Sequence, residues 1–144
     1  MNAIPDEAET ILRAFHRIAV VGVSDRPERP SHYVAQYLID AGYEVVPVNP
    51  GLARVLDRPC HPDLLSVPAP IEVVDVFRRS ALVPPIVDHA IAIGAKAIWM
   101  QDGVVHEAAA AKARAAGLTV VMDRCMLRDH RALGLPRRGE SRRP

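Results

Sequence analysis

Aromatic side chains are scarce in this sequence: Phe, Trp and Tyr together make up only 4% of its 144 residues. Hydrophobic residues nevertheless account for 49% of the chain, so a core has to be built from Val, Ile, Leu and Ala. The length is sufficient for one well-buried domain. A core of branched aliphatic residues favours a parallel β-sheet that is covered by helices on both faces.

Signals of several other protein classes are also absent. No run of about 18 apolar residues occurs, so no transmembrane helix is expected, and residues 1–10 lack the apolar core of a signal peptide. Two cysteines, Cys60 and Cys125, are too few for a disulfide framework. The formal charge of +1 gives no overall field that would attract nucleic acid or a membrane surface. We therefore expect a protein of the reducing cytoplasm that binds neither.

Apolar runs and helical patterns alternate along the chain, and Ser31 is the expected N-cap of the second helix. The spacing predicts helices at residues 8–16, 32–41, 84–93, 106–116 and 126–133, with a helical turn at 63–67. It predicts strands at residues 18–23, 43–48, 71–77, 95–100 and 118–122. This alternation indicates a three-layer, Rossmann-like α/β fold, with a five-stranded parallel sheet and helices on both faces.

The end of the chain differs in composition from the rest. Residues 135–144 contain four arginines and almost no apolar side chains, which is typical of disordered segments. We therefore assign residues 1–134 to the folded domain and expect residues 135–144 to form a disordered basic tail.

Motifs of known catalytic and metal sites are missing. The six histidines are scattered, and H-E-x-x-H, C-x-x-C and G-x-S-x-G do not occur. No metal site and no catalytic residue is therefore predicted. Cys125 directly follows the fifth strand, where it can serve as a reactive thiol, although a lone cysteine is more often an inert apolar residue.

The loop after the first strand is the first candidate for a binding site, because open parallel sheets bind ligands at the carboxyl ends of their strands. Gly22 permits a tight turn and the close approach of a ligand. Ser24, Arg26 and Arg29 follow, and their loop offers backbone amides before the positive end of a helix. These groups suit a phosphate. The full G-x-G-x-x-G fingerprint is absent, and an ordinary strand–helix connection is the alternative.

The second strand ends without the carboxylate that NAD-binding domains usually place there to hold the ribose. Val48, Asn49 and Pro50 occupy this position instead. A neutral amide tolerates a phosphorylated ribose better than a carboxylate does, which counts against NAD. For Asn49, a role that is limited to capping the turn is the alternative.

Two further strand ends carry polar groups. Phe77 and Arg78 close the third strand, where a guanidinium can meet a phosphate beside an aromatic ring; for Phe77, core packing is the alternative. Gln101 and Asp102 close the fourth strand. Trp99, within that strand, is expected in the core.

Several of these segments, taken together, resemble the small stand-alone CoA-binding proteins. The fold of that family is similar to the N-terminal CoA-binding domain of the succinyl-CoA ligase α-subunit. The resemblance covers residues 8–133 and rests on the elements G-x-S, R-P-S, P-V-N-P, V-F-R and W-x-Q-x-G, which occur in this order. His61 stands where the family often has a tyrosine.

The resemblance implies a Rossmann-like fold with coenzyme A held across the strand ends. Together with the loop analysis, it assigns the ligand to Gly22, Val23, Ser24, Arg26, Arg29, Ser31, Val48, Asn49, Pro50, Phe77, Arg78, Met100 and Gln101.

The function that we expect is non-catalytic binding of CoA or an acyl-CoA. The ligase also needs a phosphorylated histidine and a partner subunit, so the resemblance supports binding and not ligation. A homodimer or an unidentified protein partner is left open. One alternative is an enzyme that uses Cys125 on a CoA ester, against which the missing nucleophile–base pair counts. The other is an NAD-type sensor domain, against which the missing carboxylate after Val48 counts.

Overall fold

The computed structural model describes residues 3–137. Its helices are α1 (Asp6–Ala14), α2 (Pro30–Asp40), α3 (Val83–Ala92), α4 (Glu107–Ala115) and α5 (Met126–Leu133), with 3₁₀ turns at Leu64–Ser66 and Ser80–Leu82. Its strands are β1 (Arg17–Val21), β2 (Glu44–Val48), β3 (Arg54–Val55), β4 (Arg58–Pro59), β5 (Val73–Val76), β6 (Ala97–Met100) and β7 (Thr119–Val121).

Five of these strands form one parallel sheet in the order β2-β1-β5-β6-β7. The chain moves outward from β1 to β2 and then crosses back to β5 on the other side of β1. The strand order therefore reverses between β1 and β5, and ligands of open α/β sheets bind at such a point. The predicted five-stranded parallel sheet is confirmed.

Helices cover both faces of this sheet, as predicted. One face packs against α1, α2 and α5, and the other packs against α3 and α4. The strands of this sheet are mostly apolar because both of their faces are buried. Trp99 is fully buried, which confirms its expected place in the core, and its indole Nε1 donates to the Arg124 carbonyl at 2.8 Å.

Two details of the chain differ from expectation. Ser31 is not an N-cap: α2 begins at Pro30 with Arg29 in the cap position, because a proline in the first turn has no amide hydrogen to leave unpaired. The irregular stretch before residue 63 contains a short antiparallel hairpin of β3 and β4, turned at Leu56 and Asp57.

The C-terminal helix ends at Leu133, followed by Gly134 with a φ of +63°. The tail predicted to be disordered, residues 135–144, lies mainly outside the described residues. No helix within residues 3–137 has both the length and the apolar composition needed to cross a membrane.

Candidate functional site

A cavity of about 880 Å³ opens at the carboxyl ends of β1, β5 and β6, beside the first turns of α2 and α5. We call it the larger cavity. Its position coincides with the point where the strand order reverses. Its lining residues are Gly22, Ser24, Arg26, Arg29, Pro30, Ser31, Tyr33, Val34, Phe77, Arg78, Gln101, Asp102, Val104, Cys125, Leu127, Arg128 and Arg131.

The larger cavity is strongly basic. Five arginines line it, and Asp102 is the only carboxylate among its described lining residues. Arg128 donates to both carboxylate oxygens of Asp102, at 2.7 and 2.9 Å. The two helix N-termini add positive partial charge. This environment suits a ligand that carries several negative charges.

The loop between β1 and α2 is held in shape by two serine hydroxyls. The Ser31 Oγ accepts from the Ser24 amide at 2.9 Å, and the Ser24 Oγ accepts from the Arg26 amide at 3.0 Å. A hydroxyl that accepts in this way keeps its own hydrogen as a donor. Both serines therefore present a donor at the wall of the larger cavity.

Gly22 is required by the protein chain itself. It has a φ of +91°, and a Cβ atom placed on it would lie 2.6 Å from the Phe77 carbonyl oxygen and 2.9 Å from the Arg78 Cδ. A glycine here therefore permits the close approach of the segment after β5. The approach of a ligand to Gly22, expected from the sequence, stays a prediction.

A smaller cavity of about 230 Å³ lies beside α3 at the ends of β1 and β2. Gly22 and Arg78 line both cavities, so the two meet at these residues. The remaining lining is mostly apolar and consists of Val21, Val48, Pro50, Pro62, Asp63, Leu64, Leu82, Pro85, Ile86 and His89.

Asn49 joins the two loops that follow β1 and β2. Its Nδ2 donates to the Val23 carbonyl at 2.7 Å, and its Oδ1 accepts from the Gly51 amide at 2.7 Å. Asn49 thus caps its turn, which was the alternative to ligand contact in the sequence analysis. It also fixes the position of the first loop relative to the second.

The structure brings most of the predicted site residues to the two cavities and leaves three outside. Val23 and Met100 are fully buried, and neither they nor Asn49 line either of these two cavities. Phe77 does both things that were proposed for it, because it packs against the core and lines the larger cavity.

Sequence reasoning missed the contribution of the helix surfaces. Tyr33 on α2 is 47% exposed and lines the larger cavity. Leu127, Arg128 and Arg131 of α5 form another part of the same wall, and the Arg131 guanidinium lies 5.5 Å from the ring centre of Tyr37. One signal in the sequence could have indicated the α5 residues: the start of α5 directly follows the end of a strand, where ligands are expected.

Cys125 lies at the N-cap of α5 and lines the larger cavity. Burial raises the pKa of its thiol above the usual value, although backbone hydrogen bonds oppose this. The thiol is therefore protonated at neutral pH, and a protonated thiol is a weak nucleophile. Within residues 3–137, no group of three His, Cys, Asp or Glu side chains is arranged to hold a metal ion.

A buried carboxyl group underlies the cavity-lining Gln101, and sequence reasoning missed it inside an apolar run. Asp75 is fully buried at the centre of the sheet. Its Oδ1 accepts from the Gln101 Nε2 at 2.7 Å, while its Oδ2 has no hydrogen-bond partner among the described residues. Burial raises the pKa of Asp75 to about 7, although the bond from Gln101 opposes the shift.

Comparison with known proteins identifies the family. Residues 16–131 match the CoA binding domain family, so this chain belongs to that family. The chain is 41% identical to the uncharacterized protein YneT of Bacillus subtilis (strain 168) over 125 residues, which are 87% of this chain and 93% of that protein.

Solved structures share the fold, and two of them are also of similar length. A hypothetical protein from Pyrococcus horikoshii OT3 is 40% identical with a TM-score of 0.87, covering 94% of this chain and 99% of that one. A Thermus thermophilus protein is 32% identical with a TM-score of 0.83, covering 88% and 96%. The acetyl-coenzyme A synthetase 1 of Ca. Korarchaeum cryptofilum shares the fold alone, at 22% identity and a TM-score of 0.68, over 77% of this chain and 26% of that one.

Proposed function

We propose that this member of the CoA-binding domain family binds coenzyme A or an acyl-CoA without acting on it chemically. The observation that carries the proposal is the junction of a basic and an apolar cavity at Gly22 and Arg78. Coenzyme A combines a flat base with a diphosphate, a 3′-phosphate and a long flexible arm. A site with one apolar and one basic compartment suits such a molecule.

Each compartment suits a different part of the ligand. The apolar walls of the smaller cavity, including Val48 and Pro50, suit the adenine base. The hydroxyls of Ser24 and Ser31 and the N-terminus of α2 suit the diphosphate. The pantetheine arm then extends into the larger cavity.

The remaining polar groups fit the 3′-phosphate. Arg29 and Arg78 are the leading partners for this group, because a guanidinium binds a phosphate through charge-assisted and often bidentate bonds. Val23, Asn49 and Met100 belong to the proposed set as residues that support the walls of the site, since none of them lines either cavity.

A passive role fits the chemistry of the larger cavity. The thiol of Cys125 has a raised pKa, and the lining residues that the structure describes include no histidine that would serve as a base. We place the binding unit in residues 1–134 and the protein in the cytoplasm. The absence of a carboxylate directly after β2 makes NAD a poorer candidate.

Native mass spectrometry and a thermal-shift titration test the proposal. The purified protein should show added mass equal to CoA or an acyl-CoA. CoA at about a hundred times its dissociation constant should stabilise the fold by about 2.7 kcal/mol. No rise in Tm at millimolar CoA would contradict binding.

A second assay separates binding from turnover. The protein should release no free thiol from acetyl-CoA or succinyl-CoA above the rate in buffer. Thiol release that disappears in Cys125→Ser would instead establish the enzymatic alternative.

A further inference from the structure

We propose that Gln101, held in place by Asp75, accepts a hydrogen bond from an amide N–H of the pantetheine arm. This inference rests on the proposed function and adds a specific polar contact within it. Asp75 acts as a positioning residue, since it touches Gln101 and does not line the cavity.

The polarity of the larger cavity sets Gln101 apart. The other polar groups on its wall are chiefly donors: five guanidinium groups, two serine hydroxyls and the first turns of two helices. Asp102, the one carboxylate there, already accepts two bonds from Arg128. Phosphates offer only acceptors to such a wall. An acceptor on the wall therefore suits a different part of the ligand, one that donates.

The bond to Asp75 determines which atom of the Gln101 amide acts as that acceptor. An ionised carboxylate can only accept, so the NH₂ group must face Asp75, as it does at 2.7 Å. The amide oxygen is then the atom left to serve the ligand. A pantetheine arm carries amide N–H donors, whereas the 3′-phospho-ADP portion of CoA offers its phosphates as acceptors.

This orientation depends on the charge of Asp75. A protonated Asp75 can donate to the amide oxygen as well as accept from the amide nitrogen, so it no longer imposes one orientation on Gln101. Burial raises the pKa of Asp75 to about 7, which places the change near neutral pH. Deprotonation of Asp75 should therefore strengthen the binding of CoA as the pH rises from 6 to 8.

The surroundings of Asp75 contain few charges that could mask this effect. Its neighbours in register, Val20 and Trp99, are apolar and fully buried. On this side of the sheet, the titratable groups nearest the core are Tyr37, Tyr43, Cys125, His130 and the ion pair of Arg124 with Asp129. The covering helices α1, α2 and α5 also carry Asp6, Glu7, Glu9, Arg13, His32, Tyr33, Asp40, Arg128 and Arg131. Asp102, which follows Gln101 in the sequence, lines the same cavity and pairs with Arg128.

The first test compares two probes, CoA and 3′-phospho-ADP, by calorimetry at pH 8. Gln101→Leu removes the acceptor and should weaken CoA binding by about threefold to tenfold, the range of one hydrogen bond. It should leave the affinity for 3′-phospho-ADP unchanged, because this probe lacks the arm. The inference would be overturned if Gln101→Leu weakened the binding of both probes equally, or weakened the binding of neither.

The second test compares wild type with Asp75→Asn, again with CoA. Asparagine can donate or accept, so the Gln101 amide is free to turn. The wild type should bind about threefold more tightly at pH 8, and the two proteins should bind equally at pH 6. Because both proteins bind the same ligand, the titration of its phosphates cancels in this ratio.

Asp102→Asn is the matched control for the pH effect. Hydrogen bonds from Arg128 lower the pKa of Asp102. The ratio of the CoA affinity of Asp102→Asn to that of wild type should therefore be the same at pH 6 and pH 8. If the ratio of the CoA affinity of Asp75→Asn to that of wild type is also the same at both pH values, the proposed role of Asp75 is overturned. If the wild-type protein binds neither probe, the proposed function itself fails.

Discussion

The Phe77 carbonyl oxygen lies 2.6 Å from the point where a side chain on Gly22 would begin. These residues follow β1 and β5, the two strands between which the strand order reverses. The backbones leaving these strands are therefore packed directly against each other where the two cavities meet. No other residue than glycine fits this position without displacing the chain after β5.

Gly22→Ala should accordingly destabilise the fold more than a matched substitution at Gly94. Both residues have positive φ, +91° and +77°, but nothing lies within 4 Å of a Cβ atom on Gly94. Gly94→Ala should cost about 1–2 kcal/mol from backbone strain alone. Gly22→Ala should cost more, because the steric overlap with Phe77 adds to this strain.

Chemical denaturation of the two variants provides the measurement. Equal losses of stability would show that the segment after β5 yields easily to a side chain. A reduced affinity of a Gly22 variant is consequently not evidence of direct ligand contact, unless its stability is unchanged.

The sequence predicted the strand-end half of the site and missed the helical half. Gly22, Ser24, Arg78 and Gln101 were correctly expected at the edge where the larger cavity opens, because each follows an apolar run and parallel strands bring their carboxyl ends to one edge. The places of Arg128 and Arg131 on the cavity wall depend on how α5 packs, which periodicity does not determine.

Other errors also have local physical causes. Asp75 was missed because it lies inside an apolar run, and one polar residue there does not change the strand that the run predicts. The β3–β4 hairpin was missed because its turn uses Leu56 and Asp57, both with positive φ, and not the Asn-Gly or Asp-Gly pairs that usually mark such turns. Asn49 was correctly located, but only the structure showed that both ends of its amide are occupied.

Cys125 should react slowly with iodoacetamide, and CoA should slow the reaction further. Burial raises the pKa of its thiol, which lowers the thiolate fraction at pH 8, and its position on the wall of the larger cavity lets a bound ligand cover it. Peptide mass spectrometry should show a greater protection by CoA for Cys125 than for Cys60, which lines neither cavity. Equal labelling of Cys125 with and without saturating CoA would place the ligand elsewhere.

The free energy of unfolding of Asp75→Asn, relative to that of wild type, should be higher at pH 8 than at pH 4. This prediction does not depend on ligand binding. The pKa of Asp75 is about 7 in the folded protein and near 3.8 when exposed. Between these values the folded state holds a proton that the unfolded state releases, so rising pH favours unfolding. The penalty for a buried charge is absent below pH 4 and complete above pH 7.

Denaturation curves of both proteins from pH 4 to pH 8 measure this effect. The stability of Asp75→Asn minus that of wild type should rise by a few kcal/mol, on the order set by the size of the pKa shift. Other titrating groups and any fixed packing cost of asparagine cancel in the change of this difference with pH. A difference that is constant across the range would mean that Asp75 is ionised throughout, or protonated throughout.

CoA should bind more tightly than dephospho-CoA, and both should bind more tightly than NAD. Arg29 and Arg78 line the larger cavity, and one hydrogen bond from a charged group contributes about 1.5–3 kcal/mol, or roughly tenfold to a hundredfold in affinity. Arg29→Ala and Arg78→Met should therefore weaken CoA binding, and the variant that removes the 3′-phosphate partner should bind CoA and dephospho-CoA equally. Methionine at position 78 keeps an apolar stem beside Gly22. Arg114→Ala on α4, outside both cavities, is the control for lost positive charge.

Competition calorimetry measures the affinities for all three ligands. Equal affinity of the wild type for CoA and dephospho-CoA would exclude recognition of the 3′-phosphate, and tighter binding of NAD than of CoA would contradict the proposed function.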